Sequence, residues 1–168
     1  MKTYVANSAV TEVSLEPLTN KHILKTFSWV SNPAFRSVFL LRGDVTWEGH
    51  EAYFSRVLQD PSQKLFAILH NNEHVGNCGY KYLDWTSKTG ELWIYIGSPD
   101  MRGRGIGLCA TKCLIREGVE RFGLKKILLH VAKSNESARR MYLRCGFIEA
   151  GEAGGEWEGR DMLRMIRE

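Results

Sequence analysis

Apolar positions along this chain follow two rhythms, and the switches between them mark out its elements. Short runs rich in β-branched and aromatic residues read as strands: Val13 to Leu18, Lys64 to Leu69, Val75 to Leu83, Glu91 to Ile96, Lys126 to Val131, Phe147 to Ala150 and Asp161 to Arg167. Apolar residues three and four apart predict helices between them. One is capped by Thr19-Asn20 and runs to about Val30, the next spans Thr46 or Trp47 to Gln59, and two more cover Leu108 to Phe122 and Asn135 to Arg144. Asn32-Pro33 ends the first helix, because a residue before proline avoids helical backbone, whereas Phe35 to Arg42 fits neither rhythm. The polar turn Asn71-Asn72 joins two strands as a hairpin. This order predicts a mixed sheet with helices on both faces.

Composition narrows the class. A chain of 168 residues with 43% hydrophobic and 25% charged residues suits one globular domain over 1–168. The net charge of +4 is mild and its basic residues are interspersed with acidic ones, whereas nucleic-acid binding requires a denser basic patch. Met1 to Ser8 lacks the apolar core of a signal peptide, and no stretch approaches a membrane span. A cytoplasmic protein without nucleic-acid or membrane partners is expected. Cys78, Cys109, Cys113 and Cys145 have no CxxC spacing and read as free thiols.

The densest chemistry lies in Ser98-Pro99-Asp100-Met101-Arg102-Gly103-Arg104-Gly105-Ile106-Gly107, between an apolar strand and a helix. Glycines let a ligand approach the backbone, and the free N–H groups of a helix start attract anions, so the loop predicts a phosphate cradle. A P-loop needs Gly-Lys followed by Ser or Thr, which is absent. Gly105-Ile106-Gly107-Leu108-Cys109-Ala110 fits the dinucleotide pattern G-x-G-x-x-A, but no carboxylate follows the next strand in Ala132-Lys133-Ser134 to hold a ribose. His70-Asn71-Asn72-Glu73-His74 spells the zinc pattern H-x-x-E-H, yet that chemistry needs both histidines on one helix face, and here they flank a turn. No metal is expected.

Arg102, Gly105 and Gly107 match the acyl-CoA loop of the GNAT superfamily of N-acetyltransferases, and Asn135 to Phe147 resembles that family's closing helix, with Asn, Tyr and Gly-Phe at matching intervals. The resemblance covers roughly Leu65 to the C-terminus. It implies a single α/β (α+β) domain: a mixed, mostly antiparallel sheet of about seven strands with about four helices, splayed between strands four and five. It also implies acetyl-CoA as cosubstrate, taken together with the acceptor amine. Backbone groups of Ile94, Tyr95, Ile96 and Gly97 would hold the pantetheine arm in the splay. The amides of Gly103, Arg104, Gly105, Ile106 and Gly107 would hold the pyrophosphate, with Arg102 and Arg104 as nearby charge. Asn135 and Ser137 are expected at the thiol end. Tyr142 is expected to protonate the departing thiolate, and Glu91, at the start of the fourth strand, to take the amine proton.

The acceptor must be recognised largely by the early segments, where Trp29, Phe35, Arg36, Phe39, Arg42, Trp47 and Tyr53 gather, joined by Tyr80, Tyr82, Trp85 and Trp157. Trp29, Arg36, Tyr80 and Trp85 are the expected acceptor contacts. Rings with arginines suit a sugar or nucleotide better than a polycation. Ser28 to Pro33 and Gln59 to Lys64 also resemble enzymes that acetylate nucleotide-linked amino sugars in bacterial glycan synthesis. An amino-sugar acceptor is therefore the leading expectation. A protein N-terminus or a polyamine is the alternative, as is a non-catalytic acyl-CoA-binding domain. The chain is expected as a monomer or homodimer, and Gly151 to Gly155 as a loop near the cleft.

Overall fold

The computed structural model describes residues 12–38, 43–154 and 161–168. Its strands are β1 (Val13–Pro17), β2 (Lys64–His70), β3 (Glu73–Asp84), β4 (Thr89–Ile96), β5 (Lys126–Ala132), β6 (Ile148–Glu152) and β7 (Met162–Arg167). The helices are α1 (Ile23–Val30), α2 (Pro33–Val38), α3 (Trp47–Gln59), α4 (Ile106–Arg116) and α5 (Glu136–Arg144). The strands form one sheet in the order β1-β2-β3-β4-β5-β7-β6. Pairing is antiparallel except between β4 and β5. Among the described residues no helix is long and apolar enough to cross a membrane.

Five α-helices stand among the described residues where about four were expected. The ambiguous segment begins as α2, with Pro33 at its first position, where its fixed φ and missing N–H cost nothing. The helix expected over Leu108 to Phe122 starts earlier, at Ile106, and turns to π geometry over Glu117–Arg121. The hairpin turn is as the sequence predicts, with Asn71 and Asn72 at φ of 50° and 63°, the left-handed backbone that a tight hairpin demands and asparagine tolerates. Gly151 and Glu152, expected in a loop, belong to β6, where Glu152 pairs with Leu163. Gly155, Phe39, Arg42 and Trp157 lie outside the described residues.

Strand alternation sorts the core between the two faces. Cys78, Tyr80, Leu92, Ile127, Leu129 and Met165 join Ile106, Ala110 and Leu114 of α4 and Tyr142 of α5 in the main cluster. On the other face, Ala67 packs with Leu18 and Phe54 of α3. Asn77, Lys81, Glu91 and His130 have the opposite parity to the main cluster. That parity places them toward the α1 and α3 side, where Asn77 meets α1 through Thr26.

Candidate active site

The β4–β5 pairing lasts three rungs, Thr89 with Lys126, Gly90 with Ile127 and Glu91 with Leu128. Beyond it β4 continues to Ile96 paired only with β3, and β5 continues to Ala132 paired only with β7. The expected splay is present, and one edge of β4 faces it without a strand partner. A buried backbone edge needs hydrogen bonds from elsewhere, which an amide-bearing chain can supply by strand addition.

A cavity of about 1010 Å³ occupies this opening. Glu91, Ile94, Tyr95, Ile96, Arg102 and Gly107 line it, and from the other side Asn135, Ser137 and Tyr142. Residues far apart in sequence thus meet at the open end of the sheet.

The glycine loop has the geometry of an anion cradle. Gly103 and Gly105 sit at φ of +74° and +80°, and a Cβ on either would meet nothing within 4 Å. Both faces are therefore open to a ligand, while the backbone conformation keeps side chains away. The first α4 bond runs from the Cys109 N–H to the Gly105 carbonyl, so the amides of Ile106, Gly107 and Leu108 have no partner inside the helix. The Ile106 side chain is core, leaving its backbone as the only contact it can offer. Arg102 donates through Nε to the Ile96 carbonyl at 3.1 Å, tying the loop to the end of β4, and its guanidinium lies 5.9 Å from the Phe35 ring. Arg104 is exposed beside the loop. These features fit a pyrophosphate at the loop and a pantetheine arm along β4.

Asn135 caps α5, its Oδ1 accepting from the Ala138 N–H at 3.1 Å. Capping occupies one end of the amide while the residue still lines the cavity. Tyr142 is buried against Phe147, with ring centroids 5.9 Å apart, and burial pushes its phenol far above the usual tyrosine range. It is a protonated hydroxyl at neutral pH that can donate a hydrogen bond, and the same burial makes it a weaker acid than a free tyrosine.

Glu91 is the third residue of β4 rather than its first, and it is 8% exposed. Its Oε1 accepts from His130 Nδ1 at 3.0 Å and from Lys81 Nζ at 3.2 Å. Burial alone would raise its carboxyl, but the His130 hydrogen bond and the Lys81 charge outweigh that and hold it below the ordinary range. Neither partner was anticipated from the sequence. Parity could have found Lys81, which stands directly opposite Glu91 across the β3–β4 pair. No local signal marks His130, because it depends on which strand lies beside β4.

Three expected acceptor residues do not line the cavity. Tyr80 is fully buried under α4 and donates its hydroxyl to the Leu114 carbonyl at 2.9 Å. Even parity with Cys78 sends it to the face away from Glu91. Trp85 lies past the end of β3 against Phe122, with centroids 6.2 Å apart, and does not line the cavity. Trp29 is buried, its ring laid over Gly97, where an added Cβ would come within 2.0 Å of Cδ2. Gly97 therefore seats this ring at the end of β4. Arg36 does line the cavity, donating to the Val30 carbonyl at 3.0 Å and to the Gly43 carbonyl. Phe35 and Tyr53, among the rings gathered in the early segments, line this wall too, and Thr46 and His50 line it without having been anticipated.

The histidines of the zinc-like sequence are engaged separately. His70 Nδ1 meets the Glu12 carbonyl at 3.2 Å, while His74 Nε2 bonds Asn77 Oδ1 at 2.7 Å. Asn77 Nδ2 continues that network to Thr26 Oγ1 and the Tyr95 hydroxyl. Cys78, Cys113 and Cys145 are buried, and burial raises their thiols, making them poor nucleophiles.

Residues 12–148 match the acetyltransferase (GNAT) domain family. The chain belongs to that family. It is 28% identical over 116 residues to spermidine N(1)-acetyltransferase of Escherichia coli K12, a match covering 67% of this chain and 62% of that protein. Acetyltransferase PseH of Campylobacter jejuni is 22% identical over 125 residues, covering 74% of this chain and 76% of that one. The crystal structure of spermidine N-acetyltransferase from Vibrio cholerae in complex with CoA and spermine superposes with a TM-score of 0.82 at 22% identity, covering 92% of this chain and 94% of that one. The fold is thus shared over most of both chains.

Proposed function

We propose that this GNAT chain transfers the acetyl group of acetyl-CoA to a primary amine of a small molecule, by direct attack while both are bound. The observation carrying this reading is the splay, which opens at Glu91 and gathers one edge of β4, Arg102 and Gly107 at the two ends of the glycine loop, and Tyr142 around one cavity. The loop amides and Arg104 hold the diphosphate. The β4 edge and Asn135 align the pantetheine, and Tyr142 donates its hydroxyl proton to the departing sulfur. Acetyl-CoA supplies the thioester carbonyl that the amine attacks. None of Cys78, Cys109, Cys113 and Cys145 lines the cavity, which favours direct attack over an acyl-cysteine route.

For the acceptor, the named relatives favour a polyamine of the spermidine type over the amino sugar that the sequence suggests. An anionic amine such as a nucleotide-linked amino sugar remains a second reading on one observation: Arg36 and Lys81 line the cavity, whereas of the lining carboxylates Asp44 and Glu91, the latter is already bonded to Lys81. Thiol release from acetyl-CoA, followed with spermidine, a UDP-linked aminodideoxy sugar, the unlinked sugar and an N-terminal peptide, tests both. Highest kcat/KM with spermidine supports the polyamine reading, and preference for the linked sugar by tenfold, about 1.4 kcal/mol, replaces it. Acetyl-CoA binding with no release on any amine replaces transfer with a binding role.

A further inference from the structure

We propose that His130, held by Glu91, is the group that takes the proton from the acceptor ammonium. The inference rests on the acetyl-transfer reading and assigns its base. Glu91 has the position expected of a base, but its bonding argues for another part. Its Oε1 already accepts two hydrogen bonds, from His130 at 3.0 Å and from the Lys81 ammonium at 3.2 Å. Protonating this carboxylate would weaken both, and the carboxyl is held below its ordinary range accordingly. A carboxylate so stabilised is a weak base.

The same contact prepares the imidazole. A histidine that donates its Nδ1–H to a carboxylate is fixed as the tautomer whose lone pair is on Nε2. The carboxylate then stabilises the imidazolium formed when Nε2 gains a proton, as the aspartate does in serine-protease triads. His130 stands two residues beyond Leu128, the last paired residue of β5 on this side, and lines the cavity together with Glu91 and Tyr142. Among the described residues, the charged groups facing it include Lys81 from β3, Glu91 from β4 and Arg164, its cross-strand neighbour on β7, whose guanidinium donates to the Ala150 carbonyl at 3.2 Å. Glu91 lies between the Lys81 charge and the ring, offsetting repulsion of an imidazolium.

The step balances as follows. His130 Nε2 removes one proton from the ammonium, and the freed lone pair attacks the thioester carbon. The C–N bond forms, the C–S bond breaks, and the sulfur receives the Tyr142 proton. The nitrogen loses its second proton through solvent, which restores the Tyr142 hydroxyl, and His130 returns its proton to bulk water.

His130→Asn separates proton acceptance from positioning, because the Asn Nδ2 can still donate to Glu91. Loss of a general base predicts a fall in kcat/KM at neutral pH of about 10²-fold or more. The deficit should shrink as pH rises toward the amine pKa, about 10 for a lysine-like amine, while acetyl-CoA affinity measured by calorimetry is kept. In the free wild-type protein, 15N NMR should show the His130 ring protonated at Nδ1, and Glu91→Gln should reduce that preference. A His130→Asn enzyme that overlays the wild-type pH profile overturns the assignment, as does a neutral ring protonated at Nε2. A wild-type chain that transfers to no amine overturns the transfer reading and this assignment together, whereas an active wild type with an unaffected variant overturns His130 alone.

Discussion

Glu91 faces Leu128 at the last rung of the parallel pairing between β4 and β5. The sheet opens immediately beyond it. The pairing therefore sets where the cleft begins, and the side chain at that rung becomes its floor. Lys81 reaches the same carboxylate from the preceding strand and His130 from the following one, so three strands meet at one oxygen.

Gly107→Val should lose acetyl-CoA affinity at least tenfold, about 1.4 kcal/mol, and remain folded. A Cβ at this position meets only Met141 Sδ at 3.4 Å, an ordinary contact. The residue lines the cavity at the first turn of α4, where bulk stands between a diphosphate and the backbone amides. Calorimetric titration checks the loss, and a wild-type isotherm from the folded variant excludes the cradle.

Tyr142→Phe keeps the ring that packs on Phe147 and removes the hydroxyl of a residue that lines the cavity. Turnover should drop by about tenfold to a hundredfold, below much of the general-acid range because a thiol is a moderately good leaving group. Cofactor affinity should hold. Single-turnover rates distinguish this from a packing effect, which would also lower the melting temperature.

Gly97→Ala should destabilise the protein by about 1–3 kcal/mol, the cost of overpacking. The new methyl would run into Trp29, a buried ring that His74 and Tyr95 hold at centroid distances of 4.8 and 6.2 Å. Urea denaturation gives the comparison, and an unchanged midpoint would show that the ring can move aside.

Stability should fall with acid in two stages. Burial lowers the imidazoles of His50 and His74 below their ordinary 6.5, only partly offset for each by hydrogen bonds. The unfolded chain then binds protons that the native state refuses, so their contribution is complete above about pH 6.5 and declines as pH falls. Glu91, lowered from 4.5 by His130 and Lys81 against the opposing effect of burial, adds a second decline below that value. Melting temperatures across this range check the order: His74→Gln should flatten the first decline and Glu91→Gln the second.

The sequence alone determined the local and the repetitive. Alternating and helical spacing located all seven described strands, because burial of one face imposes those periods on the chain. The hairpin turn came from Asn71-Asn72 chemistry. The cradle came from Gly103, Gly105 and Gly107, since close backbone approach at a helix start needs residues without side chains in the way. Spacing also placed Asn135 and Tyr142 about two helical turns apart on one face. What it could not determine was how strands distant in sequence lie beside one another. Tyr80 and Lys81 are adjacent in the chain, yet one fills the core beneath α4 and the other bonds Glu91, a difference set by which face α4 covers. His130 reaches Glu91 only because β5 runs parallel to β4, and Trp29 is core only because Gly97 leaves space for its ring. Those choices were decided by tertiary packing, where burial of whole faces, rather than the preference of any single residue, selects the partners.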